Sequence, residues 1–115
     1  ILLGQTPATT PLLEAHAKVL LAKPPRLDKK YGGDPYSWFA STYALRELEP
    51  PGWDSWKEAL RKAVLVPQVK RGDAQGSWNP LGPWGEAMGR VTSTALMVLT
   101  LESFYRYPRV LAASR

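Results

Sequence analysis

The groups in this 115-residue chain best able to do chemistry are few and scattered. There is no cysteine, which excludes a thiol nucleophile, a thiolate metal site and a disulfide within it. The one histidine, His16, falls among polar positions of a predicted outer helix, where nothing marks it as a metal ligand. Asp28, Asp34, Asp54 and Asp73 are all isolated. Glu102 and Arg106 are the exception: they stand one turn apart on an otherwise apolar stretch, with the acid first, a spacing that favours an ion pair. Buried charge is costly unless paired, so the pair reads as a structural anchor at a helix end or as a contact to a ligand, with Arg90 as another possible partner for Glu102. No catalytic residue, metal ligand or cofactor is assigned.

Proline and glycine cut the chain into four segments, each expected to be helical and none alternating like a strand. The first covers about 11–22, with Thr9 or Thr10 as its cap and Pro24-Pro25 as its stop. The second opens at Asp34-Pro35, a cap followed by a first-turn proline, and ends by Glu49 before Pro50-Pro51. The third runs from Trp53 or Asp54 to before Pro67 or Gln68, and the fourth from Arg90 or Val91 to Tyr107.

Segments one and three are amphipathic; in the third, Trp53, Trp56, Leu60 and Val64 oppose Lys57, Glu58, Arg61 and Lys62. Segments two and four carry no charge from Tyr36 to Leu45 or from Val91 to Leu101, the composition of helices buried on every side. The order amphipathic, buried, amphipathic, buried predicts an all-α fold of two stacked hairpins, at about 9–49 and 52–108 of a single domain 1–115, with an outer and an inner layer. An echo between residues 40–45 and 92–96, each with Ser-Thr near the start of an inner helix, fits two copies of one unit. The aromatics Tyr36, Trp38, Phe39 and Tyr43 of segment two are either core or the lining of an inner cavity. Trp78 and Trp84 flank Pro80 and Pro83 in a glycine-rich loop, expected to pack on helix ends.

Gln68 at the end of an outer helix, Gly76, and Trp78 shortly after resemble the repeat signature of the α/α-toroid family of terpenoid cyclases and protein prenyltransferase β subunits. The remaining layout is similar to the last repeats of bacterial prenyltransferase/squalene-oxidase-repeat proteins. It consists of Tyr36, Trp38, Phe39, Thr42 and Tyr43, then Trp53 and Trp56, then Gly76-Ser77-Trp78, Gly89-Arg90, Thr94, and Leu101-Glu102 with Tyr105-Arg106-Tyr107. Met88 and Phe104 depart from that layout, and Asp73-Ala74-Gln75 lengthen the loop. The resemblance implies that Gln68, Gly76, Trp78, Arg90 and Arg106 tie one hairpin to the next, the Gln amide serving a helix end and the Trp stacking over it. It also implies that Tyr36, Trp38, Phe39, Tyr43, Thr94 and Glu102 face a cavity. The Asp-rich acid of the cyclases and the Asp-Cys-His zinc site of the prenyltransferases have no counterpart here. Two functions follow as expectations: a non-catalytic repeat module that binds a protein or an apolar ligand, or the C-terminal part of such an enzyme whose catalytic residues lie outside this chain.

The chain carries a net charge of +5 spread over several loops and helices, a pattern that reads as a solvated surface and makes nucleic acid an unlikely partner. No apolar run approaches the ~20 residues of a membrane span, and the localisation is left open. Ile1 in place of Met suggests a piece of something longer. Two hairpins leave apolar helix faces uncovered, so another chain, a second copy or missing upstream repeats are expected to cover the open edge; a closed four-helix bundle is the alternative.

Overall fold

A computed structural model describes residues 5–28 and 32–105. They form four helices, α1 (Leu12–Leu21), α2 (Pro35–Leu48), α3 (Trp53–Leu65) and α4 (Gly85–Tyr105), so the fold is all-α. Among the described residues the one β-type pairing is an isolated antiparallel bridge between Gln68 and Trp78.

The boundaries follow local chemistry. Asp34 caps α2: its carboxylate accepts the backbone N–H of Ser37 at 3.0 Å, and Pro35 fills the first turn, where its missing N–H is harmless. Glu49 ends α2 in the left-handed region (φ 40°), its N–H donating to the Leu45 carbonyl, and the following proline pair prevents continuation. The expected threonine cap of α1 is not formed. Pro11 occupies the cap position without a side-chain bond, and the Thr9 hydroxyl instead donates backwards to the Thr6 carbonyl at 3.0 Å. The same hydroxyl accepts the Thr6 N–H at 2.9 Å, so its oxygen is turned to the turn before the helix and away from the helix N-terminus.

The fourth helix starts earlier than the sequence pattern predicts. One turn forms from Gly85, breaks at Gly89 (φ 71°, ψ −176°), and resumes at Arg90. Only glycine takes that backbone conformation without strain, so Gly89 reorients the chain between the two helical pieces.

Helix α2 is the hub, packing against α1, α3 and, most extensively, α4. No comparable α1–α4 packing forms, so the chain does not close as the alternative four-helix bundle. The core holds Trp38, Leu45, Trp56, Leu60, Val64, Trp78 and Met97. Trp38 lies directly under Gly33, in space that any Cβ there would occupy, which fixes the entry to α2. Trp53 and Phe104 meet with ring centroids 6.3 Å apart, so the start of α3 lies beside the end of α4. Both inner helices bury small polar side chains, Ser41 and Thr42 of α2 and Ser93, Thr100 and Ser103 of α4.

These hydroxyls are satisfied locally. Thr100 donates to the Leu96 carbonyl and Ser103 to the Thr100 carbonyl, both at 2.6 Å, while Thr42 accepts the Trp56 indole N–H at 3.1 Å. Among the described residues no buried side-chain nitrogen or oxygen is left unpaired. Small side chains with internally satisfied hydroxyls let two helices approach closely without a desolvation penalty.

Burial on every side, expected of both inner helices, is not found within this chain. Helix α4 is covered by α2 on one face, and its opposite flank lies in water, with Val91 83% exposed and Ala95, Val98 and Leu99 also exposed. Tyr36, Ser37 and Ala40 of α2 are exposed as well. The absence of charge shows that a helix surface is not designed for bulk water; it does not show that this chain supplies the cover.

The Trp56–Thr42 bond is a measurable joint between layers. Thr42→Val keeps the shape but strands a buried indole N–H, and urea unfolding is expected to show a loss of about 1–3 kcal/mol; an unchanged midpoint would mean that the bond does not form.

Candidate functional site

The loop between α3 and α4 collects the motif residues and decides which face of α4 is presented. Trp78 is its anchor, 2% exposed. Its indole N–H donates to the Val64 carbonyl at 2.7 Å, and its backbone N–H donates to the Thr94 hydroxyl at 3.1 Å. One residue therefore holds the last turn of α3 and the flank of α4 together. Carbonyls at a helix end have no intrahelical partner, so a buried indole placed there satisfies one while excluding water.

Gln68, Gly76 and Trp78 do come together, but their roles differ from those the resemblance implies. The Gln68 amide donates across the loop to the Gly76 carbonyl at 3.1 Å and reaches no helix end. The helix end is served by Trp78 and by Lys70, whose ammonium donates to the Leu65 carbonyl at 3.0 Å and to Gln68 Oε1 at 3.1 Å. The physical reason is reach: the bridge sets Gln68 opposite Trp78, and its amide then falls on the returning strand of the loop. Gly76 has φ 82°, donates its own N–H to the Val69 carbonyl, and so closes the turn. Lys70 was not singled out by sequence; a cation just past a helix C-terminus, where free carbonyls concentrate, is the signal that points to it.

Arg90, at the restart of α4, donates to the Ser77 hydroxyl at 3.0 Å, and Ser77 in turn donates to the Ala74 carbonyl at 2.6 Å. Arg90 thus fastens the loop to α4. Arg106, named with it, lies outside the described residues, as does the proposed Glu102–Arg106 pair. Glu102 is half-buried and has an interaction partner.

The candidate cavity residues are not gathered around one space. Trp38 is in the core, 7% exposed. Phe39 and Tyr43 form a tilted ring pair with centroids 4.8 Å apart on another side of α2. Tyr36 is exposed beside Trp84 and Met88, over a cleft of about 10 Å³ that has room for roughly one water molecule. His16 is exposed on α1. Among the described residues no three His, Asp or Glu side chains gather as a metal site would require, and no helix is long and apolar enough to cross a membrane. Glu58, whose carboxyl is held below the usual range by the hydrogen bond from Arg61 and then by Lys62, belongs to an exposed ion-pair cluster on α3.

What the loop and seam leave available is the outer flank of α4. Val91, Thr94, Ala95, Val98 and Leu99, with Ser77 and Arg90, line a shallow groove of about 620 Å³. Apolar residues lie on both sides of α4: Met97 is buried in the core with Leu101 and Phe104 packed against it, among the buried hydroxyls of Ser93, Thr100 and Ser103, while Val91, Ala95, Val98 and Leu99 face water. A helix flank built to end at solvent carries charged and polar residues instead. The arrangement offers exposed apolar binding area.

No protein family, curated protein or solved structure matches the chain. Its function is therefore read from its own geometry.

If Trp78 rather than Gln68 secures the helix end, truncation of the two differs sharply. Trp78→Ala is expected to cost ~3–5 kcal/mol in denaturant unfolding, and Gln68→Ala about 1 kcal/mol or less. Equal losses would restore the glutamine to the central role.

Proposed function

We propose that this chain is a non-catalytic interaction module of the α/α-repeat kind, which receives an apolar protein surface along the outer flank of α4. The observation that carries the reading is the exposed apolar flank of α4: Val91, Ala95, Val98 and Leu99 sit outward on a helix whose core side already holds Met97, Leu101 and Phe104. Contiguous exposed apolar residues of this kind mark an interaction surface. Covering roughly 300 Å² of such surface at about 25 cal/mol per Å² returns several kcal/mol before the cost of association. That magnitude suits a partner helix laid into the groove, with anchors at i, i+4 and i+7. The alternation of amphipathic and uncharged helices, and the Gln68–Gly76–Trp78 cluster, support the repeat kind.

The flank can be probed directly with a neutral apolar fluorophore such as Nile red, at low protein concentration. Val98→Asp with Leu99→Asp is expected to abolish most dye uptake while leaving the melting temperature unchanged or higher. Undiminished uptake would place the apolar surface elsewhere, and loss of the fold would mean that the flank is packed internally.

A further inference from the structure

We propose that the cleft between α1 and the end of α2 binds a small organic ammonium ion, a primary amine carrying an apolar body. The cleft has a volume of about 420 Å³ and shares no residue with the groove along α4. That volume lies in the range of roughly 300–1,000 Å³ typical of small-molecule sites.

The walls come from three stretches of chain: the turn before α1, α1 itself, and the end of α2 with the prolines that follow it. Pro7 belongs to the turn that Thr6 and Thr9 close with hydrogen bonds between them, and Pro50-Pro51 follow directly on α2. Proline rings fix their own backbone angles, so little ordering is left to be done when a ligand enters. Ala17, the buried residue of α1, lines the cleft together with half-buried Leu21 and Leu48, which pack against the core. A methyl group at that position leaves room that a longer side chain would fill.

The charges decide the ligand. Glu14 of α1 and Glu49 at the end of α2 both line the cleft, which abuts the C-terminus of α2, the negative end of that helix. Lys18, one turn along α1 from Glu14, is the one cation among the described lining residues. Among the described residues no ion pair joins it to Glu14, so the Glu14 carboxylate stays open to an incoming cation. Glu49 has an interaction partner within the chain and adds its charge to the local field. Two carboxylates and a helix end outweigh one ammonium, which favours a cation over an anion. Among the described residues no three His, Asp or Glu side chains gather, so a bare metal ion has too few oxygen ligands here. The remaining attraction is apolar, and Ala17, Leu21, Leu48 and the prolines suit hydrocarbon attached to the ammonium. Because Glu14 is exposed, its pull is modest and the affinity is on the order of a millimolar.

Titration of the isotope-labelled chain with phenethylamine, followed by two-dimensional NMR, tests this, with hydrocinnamate as the anion of matched shape. Phenethylamine is expected to shift the amides of α1 from Glu14 to Leu21 and those of Leu48 and Glu49, saturably, and hydrocinnamate to bind about fivefold more weakly or less. Glu14→Lys reverses the charge of an exposed residue and should weaken the amine about fivefold or more, while Lys18→Glu should tighten it, both at an unchanged melting temperature. The proposal is overturned by the lack of saturable shifts up to about 20 mM amine, by shifts centred outside the cleft, by hydrocinnamate binding as tightly as the amine, or by a Glu14→Lys variant that binds the amine as well as the wild type. Each outcome leaves the reading of α4 to its own test, since the two surfaces have no residue in common.

Discussion

Trp78 is the constraint on which the rest depends. Its two N–H groups reach two different helices, the indole to the Val64 carbonyl and the backbone to the Thr94 hydroxyl. The side-chain bonds of Gln68, Lys70 and Arg90 that also hold the loop between α3 and α4 are exposed and of modest net strength. With the Trp78 joint, the rotation of α4 about its axis is set: Thr94 is turned to the loop, Ser93 and Met97 to the core, and Val91, Ala95 and Val98 away from both.

The seam between α2 and α4 completes that assignment. Ser41, Thr42, Ser93, Thr100 and Ser103 are small and buried; Thr100 and Ser103 bond within α4, and Thr42 accepts from Trp56. On these two helices the core holds Trp38, Leu45 and Met97, with Leu48, Leu101 and Phe104 packed against it. Val91, Ala95, Val98 and Leu99 take no part in that core and lie outward. Structure and proposed use meet at that point: α4 is held by the Trp78–Thr94 bond and by Met97, Leu101 and Phe104 at the core, and its flank of Val91, Ala95 and Val98 stays open.

Much of the fold was legible in the sequence. Asp34-Pro35 and Pro50-Pro51 bracket α2 as their chemistry requires, and the charge-free runs marked the two helices that form the seam. Thr9 misled because a threonine near a helix start can serve the turn before it as readily as the helix. The first turn of α4 was hidden because Gly89 punctuates the pattern at the position where a helix would be expected to begin. The site was legible as a set of residues and not as a set of bonds. Gln68, Gly76 and Trp78 converge, yet the tryptophan and Lys70 carry the helix end, because a two-residue bridge turns the glutamine toward the loop. The lack of charge between Val91 and Leu101 could not reveal that one flank would stay open, since composition reports what a surface avoids and not what covers it.

The orientation of α4 is the central claim, and the cysteine-free sequence makes it directly accessible. Single cysteines placed on α4 can be labelled with a thiol reagent in dilute native protein. Val91→Cys, Ala95→Cys and Val98→Cys should react at close to the rate of an unfolded peptide, while Ser93→Cys, Met97→Cys and Thr100→Cys should react only as fast as the chain unfolds. Protection of the first set, or free reaction of the second, would contradict the account.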